Sequence, residues 1–261
     1  HVTGVVGTVA LVMALSLLFF NDTATTEIYT LLIVASVRAS ILAGVEADWE
    51  HLVYDSGSTD GTAALLDTAP SERLRVLTAH AKQSAGLGRN RLIEQASGEW
   101  VVPLDDDDIL LQRALFHYGL HIRQHPAARW LVADFLRVDD ERRYLPNEDY
   151  YAWRFESAPQ MLQAIFRGEH FIQGNVCFQK TLWQEVGGYD EGLAMAEDLD
   201  LYVRFLLAGE LPVVCPHLSH LHRFHQRNVS IGVDADRHRA DLATIFGKYA
   251  ARLVAVGVEA P

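Results

Sequence analysis

Strand-like apolar segments alternate with helix-like segments in this chain, and the alternation limits the folds it can adopt. Three short β-rich runs are separated by two segments with helical apolar spacing: DWEHLVYD, TDGTAALLDTA, RLRVLT, GLGRNRLIEQASG and EWVVPL. Strands and helices of this size in alternation predict a parallel α/β sheet with helices on both faces. The preceding segment, SVRASILAG, also has apolar residues at helical spacing.

The second half of the chain has a less regular pattern. A long helix is predicted from Ile109 to Pro126, where the proline stops it. Three further strands and three helices follow: RWLVADFLRV, NVCFQ, KTLWQEVGG, AEDLDLYVRFLLAG, LPVVCP and DRHRADLATIFGKYAARLVAVG. Between them, ERRYLPNEDYYAWRFESAP is rich in loop-forming and aromatic residues. We therefore predict a single domain with a mixed α/β sheet flanked by helices.

Acidic residues outnumber basic ones, and this excludes some partners. The formal charge of the 261 residues is −12, whereas a nucleic-acid partner would require a basic face. An anionic membrane surface is disfavoured for the same reason. Cys177 and Cys215 show no Cys-x-x-Cys or Cys/His spacing, so we expect free thiols and neither a zinc site nor a disulfide scaffold.

The first 34 residues do not fit this pattern. HVTGVVGTVALVMALSLLFF is apolar over nearly the length that spans a bilayer, which would make it a signal anchor. The following run, NDTATTEIYT, instead resembles a translated sequencing-adapter oligonucleotide. We therefore interpret residues 1–34 as foreign sequence, with the membrane anchor as the alternative. Residues 35–230 would form the domain, and residues 231–261 a C-terminal amphipathic helix and tail.

Four consecutive carboxylates, Asp105 to Asp108, follow the apolar strand in PLDDDDIL. Carboxylates held this close repel one another, and a hard divalent cation with oxygen ligands, Mg²⁺ or Mn²⁺, would offset that repulsion. Such an ion also neutralises charge on a departing nucleotide diphosphate. The alternative is a solvated acidic loop that caps the next helix.

Two further positions are candidates for binding a nucleotide. Asp55 follows a strand, where its carboxylate could hydrogen-bond a base or ribose or merely cap the turn. Arg89, near a helix start, could face a phosphate, pair with the aspartate run or form an ordinary surface salt bridge. The neighbouring Gly86 and Gly88 lack the rest of any known phosphate-loop fingerprint.

Charged residues in the last third of the chain suggest a base and a metal ligand. Glu197 and Asp198 begin a predicted helix, where a carboxylate could act as a general base or only cap the helix. HLHRFHQRNVS contains His220, His222 and His225 together with Arg223. We expect His220 and His222 to be exposed loop histidines, whereas Arg223 and His225 are candidates for a diphosphate or metal site.

The order of these motifs resembles that of the family 2 glycosyltransferases, which have the GT-A fold, a Rossmann-type mixed sheet. The resemblance runs from about Ala35 to Ser230 and rests on six strings: DSGSTDGT, GRN, SGEWVVPLDDDD, GGYDEG, AEDLDLYVRF and RFH.

The resemblance implies a role for each matching position. Asp55 would lie in the nucleotide pocket with Arg89 near the nucleotide. Asp105 and Asp107 match the Asp-x-Asp pair that meets the ribose and the metal. Asp198 matches the catalytic base and Glu197 supports it. Asp106 and Asp108 would serve the loop rather than the ion.

Two features depart from the family pattern. Ser56 stands where the family usually has a second acidic residue. The family's first strand, which packs under the nucleotide, is missing from the place occupied by the adapter-like run.

The expected activity is metal-dependent, inverting transfer of a sugar from a nucleotide-diphosphate sugar donor to a hydroxyl acceptor. From the family we expect a glycan or glycolipid acceptor in polysaccharide, lipopolysaccharide or glycolipid assembly. We expect a cytoplasmic protein, with peripheral association at the inner face of the membrane as an option. The alternatives are a non-catalytic sugar-nucleotide or glycan-binding module and a nucleotidyltransferase, although the chain shows no lysine-bearing glycine loop suited to a triphosphate.

Overall fold

The computed structural model describes residues 31–37, 49–59, 61–68, 73–146, 154–169, 172, 174–225 and 235–261. Eight strands lie in this part of the chain: β1 (Leu31–Val37), β2 (Trp49–Asp55), β3 (Leu74–Thr78), β4 (Trp100–Asp105), β5 (Ile109–Leu110), β6 (Trp130–Val138), β7 (Val176–Gln179) and β8 (Val213–Arg223). They form one sheet in the order β3-β2-β1-β4-β7-β6-β8-β5. The sheet is mixed, as the sequence predicts.

Seven helices accompany the sheet within the described residues: α1 (Thr62–Thr68), α2 (Ala85–Gln95), α3 (Ala114–Gln124), α4 (Ala158–Phe166), α5 (Lys180–Glu185), α6 (Glu197–Leu207) and α7 (Ala235–Ala255). Side chains cap two of their starts. Ser84 accepts a hydrogen bond from the backbone N–H of Leu87 at the start of α2, and Ser157 accepts one from Gln160 at the start of α4. Such caps satisfy backbone donors that the first helical turn leaves unpaired.

Strand β1 lies between β2 and β4 and runs antiparallel to both. Strands β2 and β4 are therefore parallel to each other, and β2 is parallel to β3, as the alternating pattern predicts. Strand β1 thus lies in the part of the chain where the sequence analysis finds the family's first strand missing, and its direction is the reverse of that of its neighbours β2 and β4. It crosses the predicted boundary at residue 34. It also includes Ser36 and Val37, which we had assigned to a helix, while residues 38–44 of that segment lie outside the described part.

The sheet is buried on both faces, which explains the unbroken apolar runs in its central strands. Along β6, Trp130 and Val132 belong to a core shared with α2, α4, α6 and α7. Leu131 and Ala133 belong to a second core with α3. Successive side chains of a strand point to opposite faces, so a single strand supplies both cores.

The loop that carries Asp105 to Asp108, called the aspartate loop below, requires the sheet to curve. Three residues, 106–108, join β4 to β5, and a connection of this length spans at most about 15 Å between Cα atoms. Four strand spacings separate β4 from β5 in the sheet order, about 19 Å if the sheet were flat. The β6–β8 pair has register shifts on both sides of Asp134, and such bulges bend and twist strands. The edge formed by β8 and β5 is thereby brought next to the end of β4.

Two predicted elements have other bounds in the structure, and one observed helix has no predicted counterpart. The predicted helix at Ile109–Pro126 begins only at Ala114, because Ile109 and Leu110 pair with Leu221 and His220 of β8. The strand predicted in LPVVCP continues to Arg223, because β6 pairs with it beyond the bulge. Helix α4 was not predicted. Of the loop-rich aromatic segment before α4, residues 147–153 lie outside the described part.

No helix among the described residues is long and apolar enough to cross a membrane. The apolar stretch 1–20, the candidate signal anchor, lies outside those residues.

Trp130 provides a test of the larger core. Its side chain is fully buried, its ring lies 5.8 Å from that of Tyr202 and 5.4 Å from that of Phe205, and its Nε1 donates to the Glu210 carbonyl. We expect Trp130→Ala to lower the free energy of unfolding by about 3–5 kcal/mol, through lost burial and the cavity left behind. Urea unfolding followed by circular dichroism measures this change. Phe116→Ala, at a side chain that is 54% exposed, should stay within about 0.5 kcal/mol of the unaltered chain.

Candidate functional site

Arg89 joins the aspartate loop to the start of α6. Its guanidinium, buried in α2, donates from Nη2 to Asp105 Oδ1 at 2.5 Å and from Nη1 to Glu197 Oε1. Burial alone would lower the pKa of Arg89, but the carboxylates of Asp105 and Glu197 raise it well above its ordinary value. The arginine therefore stays charged and holds two acidic segments that are far apart in sequence. The contact with Asp105 is the pairing with the aspartate run that the sequence analysis allows for Arg89.

Asn90, the next residue, fixes α2 against the Gly-Gly-Tyr-Asp segment. Its Nδ2 donates to the carbonyl of Tyr189 and to Glu191, while its Oδ1 accepts from the Tyr189 backbone and from Trp183 Nε1. The amide thus uses both donor and acceptor capacity in a buried position. Asn90 was not among the predicted site residues, although the matched string GRN contains it.

Two glycines permit this close packing. A Cβ on Gly86 would lie 2.8 Å from the Asp190 carbonyl oxygen, and one on Gly188 would lie 2.9 Å from Asn90 Oδ1. Gly188 also has a φ of +73°, which side-chain-bearing residues rarely adopt. Gly86 therefore serves contact between backbone segments, which agrees with its poor match to a phosphate-binding loop.

The acidic pair Glu197 and Asp198 begins α6, directly after a strained residue. Ala196 has φ 57° and ψ 24°, a left-handed conformation that is uncommon for a non-glycine residue. Glu197 is buried against Arg89, and Asp198 is partly exposed, with its Oδ1 accepting from the Leu199 N–H. Burial, and then the charge of Glu197, raise the pKa of Asp198 to about 6. Its carboxylate is thus the dominant form above pH 6 and is more basic than an ordinary aspartate.

Asp200, in the same acidic helix start, has a different role. It is fully buried and binds Arg204 at 2.8 Å, Lys248, and the Tyr249 hydroxyl at 3.0 Å. Lys248 also contacts Asp190 at 2.6 Å. These contacts attach α7 to α6, so Asp200 stabilises the fold.

Asp107 faces His225 across the aspartate loop, with Oδ2 and Nε2 3.1 Å apart. Both side chains are mostly buried, with exposed fractions of 26% and 11%. Burial raises the pKa of Asp107, and the His225 contact only partly opposes it. Burial and the charges of Asp107 and Asp105 likewise raise the pKa of Asp106. The loop thus concentrates negative charge in a poorly solvated place, which a cation would stabilise.

Asp108 is the most buried carboxylate of the run and anchors the loop to β8. Its Oδ1 accepts from the backbone N–H of Arg223 at 3.1 Å, and the rings of His220 and His222 lie 3.5 and 3.4 Å from its oxygens. Burial opposes ionisation, yet His222 and His220 lower the pKa of Asp108 below its ordinary value. The prediction that His220 and His222 are exposed loop residues is wrong, because β8 extends to Arg223 and carries both inward.

Asp55 ends β2 on the far side of β1 from Asp105. Leu31 pairs with Asp55 and Leu32 with Asp105, so the two aspartates lie two strand spacings apart, about 10 Å, at the same sheet edge. Asp55 Oδ1 accepts from the Ser58 N–H at 2.8 Å, and the neighbouring Ser56 Oγ accepts from Gln83 N–H at 2.6 Å. Both side chains support the turn, and the nucleotide role of Asp55 stays a prediction.

The predicted residues therefore fall into three neighbouring groups. The first is Arg89 with Asp105, Glu197 and Asp198. The second is Asp107 with His225. The third is Asp55 at the end of β2, on the same sheet edge as Asp105. Arg223 reaches the site through its backbone N–H on Asp108, while its predicted contact with the donor is untested. No apolar periodicity in the sequence indicates a site role for Tyr189, whose buried ring lies 5.6 Å from the Arg89 guanidinium carbon.

Comparison with known proteins identifies the family. Residues 30–181 match the model of glycosyl transferase family 2, and the chain belongs to this family. It is 31% identical over 170 residues to the O-antigen biosynthesis protein RfbC of Myxococcus xanthus, covering 64% of this chain and 13% of that protein. It is 26% identical over 209 residues to the succinoglycan biosynthesis protein ExoO of Rhizobium meliloti, covering 74% of this chain and 58% of that protein.

The fold has counterparts among solved structures. TarS 1–349 of S. aureus, solved in complex with UDP-GlcNAc, superposes with a TM-score of 0.60 at 19% identity, covering 80% of this chain and 58% of that one. This similarity confirms the predicted GT-A-like fold.

The acidic pair at the start of α6 allows a test that needs no substrate. Removing the charge of Glu197 should lower the pKa of Asp198 from about 6. The negative charge that raises this pKa is then gone, and the positive charge of Arg89, no longer paired with Glu197, lowers the pKa further. We expect a decrease of about one unit in Glu197→Gln, measured by carboxyl-carbon NMR titration. Glu94→Gln, on the exposed face of α2, should leave the titration unchanged. An Asp198 pKa that stays the same or rises in Glu197→Gln would contradict the assigned coupling.

Proposed function

We propose that this chain is an inverting, metal-dependent glycosyltransferase that moves a sugar from a nucleotide-diphosphate donor to a hydroxyl acceptor. The observation that carries the proposal is the half-buried Asp198, whose pKa is raised to about 6, next to the Arg89 bridge and the aspartate loop. Membership of glycosyl transferase family 2 favours this reaction class over nucleotidyl transfer.

Asp198 is the proposed general base. In a single displacement it accepts the proton of the acceptor hydroxyl as the oxygen attacks the anomeric carbon, and the nucleoside diphosphate departs from the opposite face. A base works best when its pKa lies near the working pH, and a carboxyl with a pKa of about 6 meets this condition better than an ordinary aspartate does. Glu197, held by Arg89, keeps the helix start in place.

The donor is proposed to bind along the sheet edge that carries Asp55 and Asp105. Asp55 would contact the nucleotide, and Asp105 the ribose and the ion. Arg89 would set the position of Asp105 and carry positive charge towards the nucleotide, with Arg223 near the diphosphate. A UDP-sugar is one candidate donor, supported by the complex that the fold counterpart forms.

The ligand atoms that Asp107 and His225 offer, a carboxylate oxygen and an imidazole nitrogen, suit a divalent ion such as Mn²⁺ or Mg²⁺. A carboxylate and an imidazole face each other at 3.1 Å, Asp105 precedes them in the loop, and mutual repulsion favours a cation there. When bound, the ion would supply charge stabilisation for the leaving diphosphate. The loop residues would hold it and orient it towards the donor.

The reversed β1 favours one other candidate, a module that binds sugar nucleotides without turnover. Strand β1 meets Asp55 and Asp105 with its amino end, so the wall under the nucleotide differs from that expected for the family. Release of nucleoside diphosphate from the donor, stimulated by Mn²⁺, supports the enzyme. Donor binding without release supports the module.

Assembly of a cell-envelope polysaccharide is the proposed setting, because the relatives are named for O-antigen and succinoglycan biosynthesis. The acceptor would be a growing glycan or a glycolipid. With a lipid-linked acceptor, the chain would work in the cytoplasm at the inner face of the membrane.

Asp198→Asn tests the role of the base. We expect transfer to fall at least about 100-fold, because a general base contributes 10²–10⁴-fold, while donor affinity stays nearly unchanged. Nucleoside diphosphate release measures turnover, and calorimetry measures donor binding. Glu94→Gln is the matched control at an exposed carboxylate. Equal loss of donor affinity in Asp198→Asn would instead make Asp198 a donor ligand or a structural residue.

Asp107→Asn tests the metal site directly. We expect affinity for Mn²⁺ alone to fall at least about tenfold, because ligand charge sets affinity at such sites. Calorimetric titration with MnCl₂ measures this, and His225→Asn should weaken binding in the same direction. Asp67→Asn, at an exposed position on α1, should bind as the unaltered chain does. Unchanged Mn²⁺ affinity in Asp107→Asn would place the ion elsewhere.

A further inference from the structure

A cluster of histidines and a cysteine lies between α3 and β8, on the sheet face opposite the larger core. His117 and His121 stand one turn apart on α3, and Cys215 and His217 come from β8. The His217 ring stacks on His117 with centroids 5.1 Å apart and on His121 at 5.7 Å. Neither the proposed donor site nor the proposed base uses any of these residues.

His217 lies in a bulge of β8. Cys215 pairs with Ala133 of β6, but the next paired residue of β8 is Leu218, opposite Asp134. Pro216 and His217 are therefore the extra residues of the bulge. Bulges re-aim side chains and occur frequently beside functional sites.

Several polar atoms in the cluster lack a hydrogen bond. Within the described part of the chain, neither ring nitrogen of His217 nor Nδ1 of His121 has a hydrogen-bond partner, and all three atoms are shielded from solvent. Cys215 is fully buried, and its thiol reaches only the Val213 carbonyl at 3.7 Å. Buried polar groups without partners are costly and call for an explanation.

The ligand atoms of His121, Cys215 and His217 all lie within 4.8 Å of one another. We propose that these three residues bind a zinc ion that links α3 to the bulge of β8. Zinc prefers imidazole nitrogen and thiolate sulfur at about 2.0–2.3 Å in a tetrahedral arrangement. Tetrahedral ligands at these bond lengths lie roughly 3.3–3.7 Å apart, so atoms now within 4.8 Å of one another would approach by about 1 Å. Water would take the fourth position.

Binding of zinc would release one proton to solvent. Burial lowers the pKa of His217 to about 3, so its imidazole is neutral and can coordinate without losing a proton. Burial raises the pKa of the Cys215 thiol to about 12, so this thiol releases its proton to solvent as the zinc–sulfur bond forms. No electron is transferred.

The sequence did not indicate this site, because its ligands come from two segments about 90 residues apart. Only Cys215 and His217 are close in sequence. Residues i and i+2 of a strand share a face, but this pair alone does not reveal the third ligand. The packing of α3 on β8 supplies His121.

Zinc titration of the full chain after chelator treatment tests the proposal. The titrations use the Asp107→Asn chain, so that the proposed donor metal site does not contribute to the signal. In this background we expect one zinc ion per chain by calorimetry and a rise in Tm, with at least about tenfold weaker binding when Cys215→Ser or His217→Asn is added. Adding Cys177→Ser instead, at a buried free thiol outside the cluster, should leave the zinc affinity unchanged.

Cobalt(II) substitution identifies the ligands even if Cys215→Ser fails to fold. A thiolate-to-cobalt charge-transfer band in the near ultraviolet would support the site, since the Asp107 and Asp108 groups contain no thiol. His121→Asn, at a half-buried position on α3, should shift this band and weaken binding. Absence of the band, absence of zinc binding, or equal zinc affinity in the Cys215 and Cys177 variants would each overturn the proposal.

Discussion

The ionic bridge through Arg89 is the interaction on which the site depends. One guanidinium pairs with Asp105 at the end of β4 and with Glu197 at the start of α6, more than ninety residues later in the chain. A buried arginine would be costly without these partners, and the two carboxylates would repel each other without the arginine. The hydrogen bonds of Asn90 to the Gly-Gly-Tyr-Asp segment hold α2 in place, and α2 in turn holds Arg89 between its two carboxylate partners.

Much of the first half of the fold follows from local pattern. Strands β2, β3 and β4 and helices α1 and α2 lie where the alternation of apolar runs predicts, because each run is bounded by turn residues. Strands β2 and β4 are also buried on both faces. The pairing of Arg89 with the aspartate run is one of three contacts that the sequence allows. Charge alone does not select among them, since an arginine binds a phosphate, a neighbouring carboxylate or a surface carboxylate equally well by sign.

The remaining differences come from tertiary contacts that no local pattern contains. Ile109 and Leu110 have helical spacing with the residues that follow, yet pairing with β8 makes them a strand. His220 and His222 are polar in sequence, but the long pairing of β6 with β8 carries them to Asp108. In each case the partner strand is distant in sequence, so the segment's own propensity is overridden.

Ala196 shows how the start of α6 balances stability against precision. A left-handed residue that bears a side chain costs about 1 kcal/mol or more relative to glycine, and a glycine would remove this strain. It would also loosen the backbone immediately before Glu197 and Asp198 by admitting many more conformations in the unfolded and native states. Because alanine by itself disfavours this conformation, the packing around the start of α6 must hold it, and a residue with few other conformations then leaves the acidic pair little freedom to move.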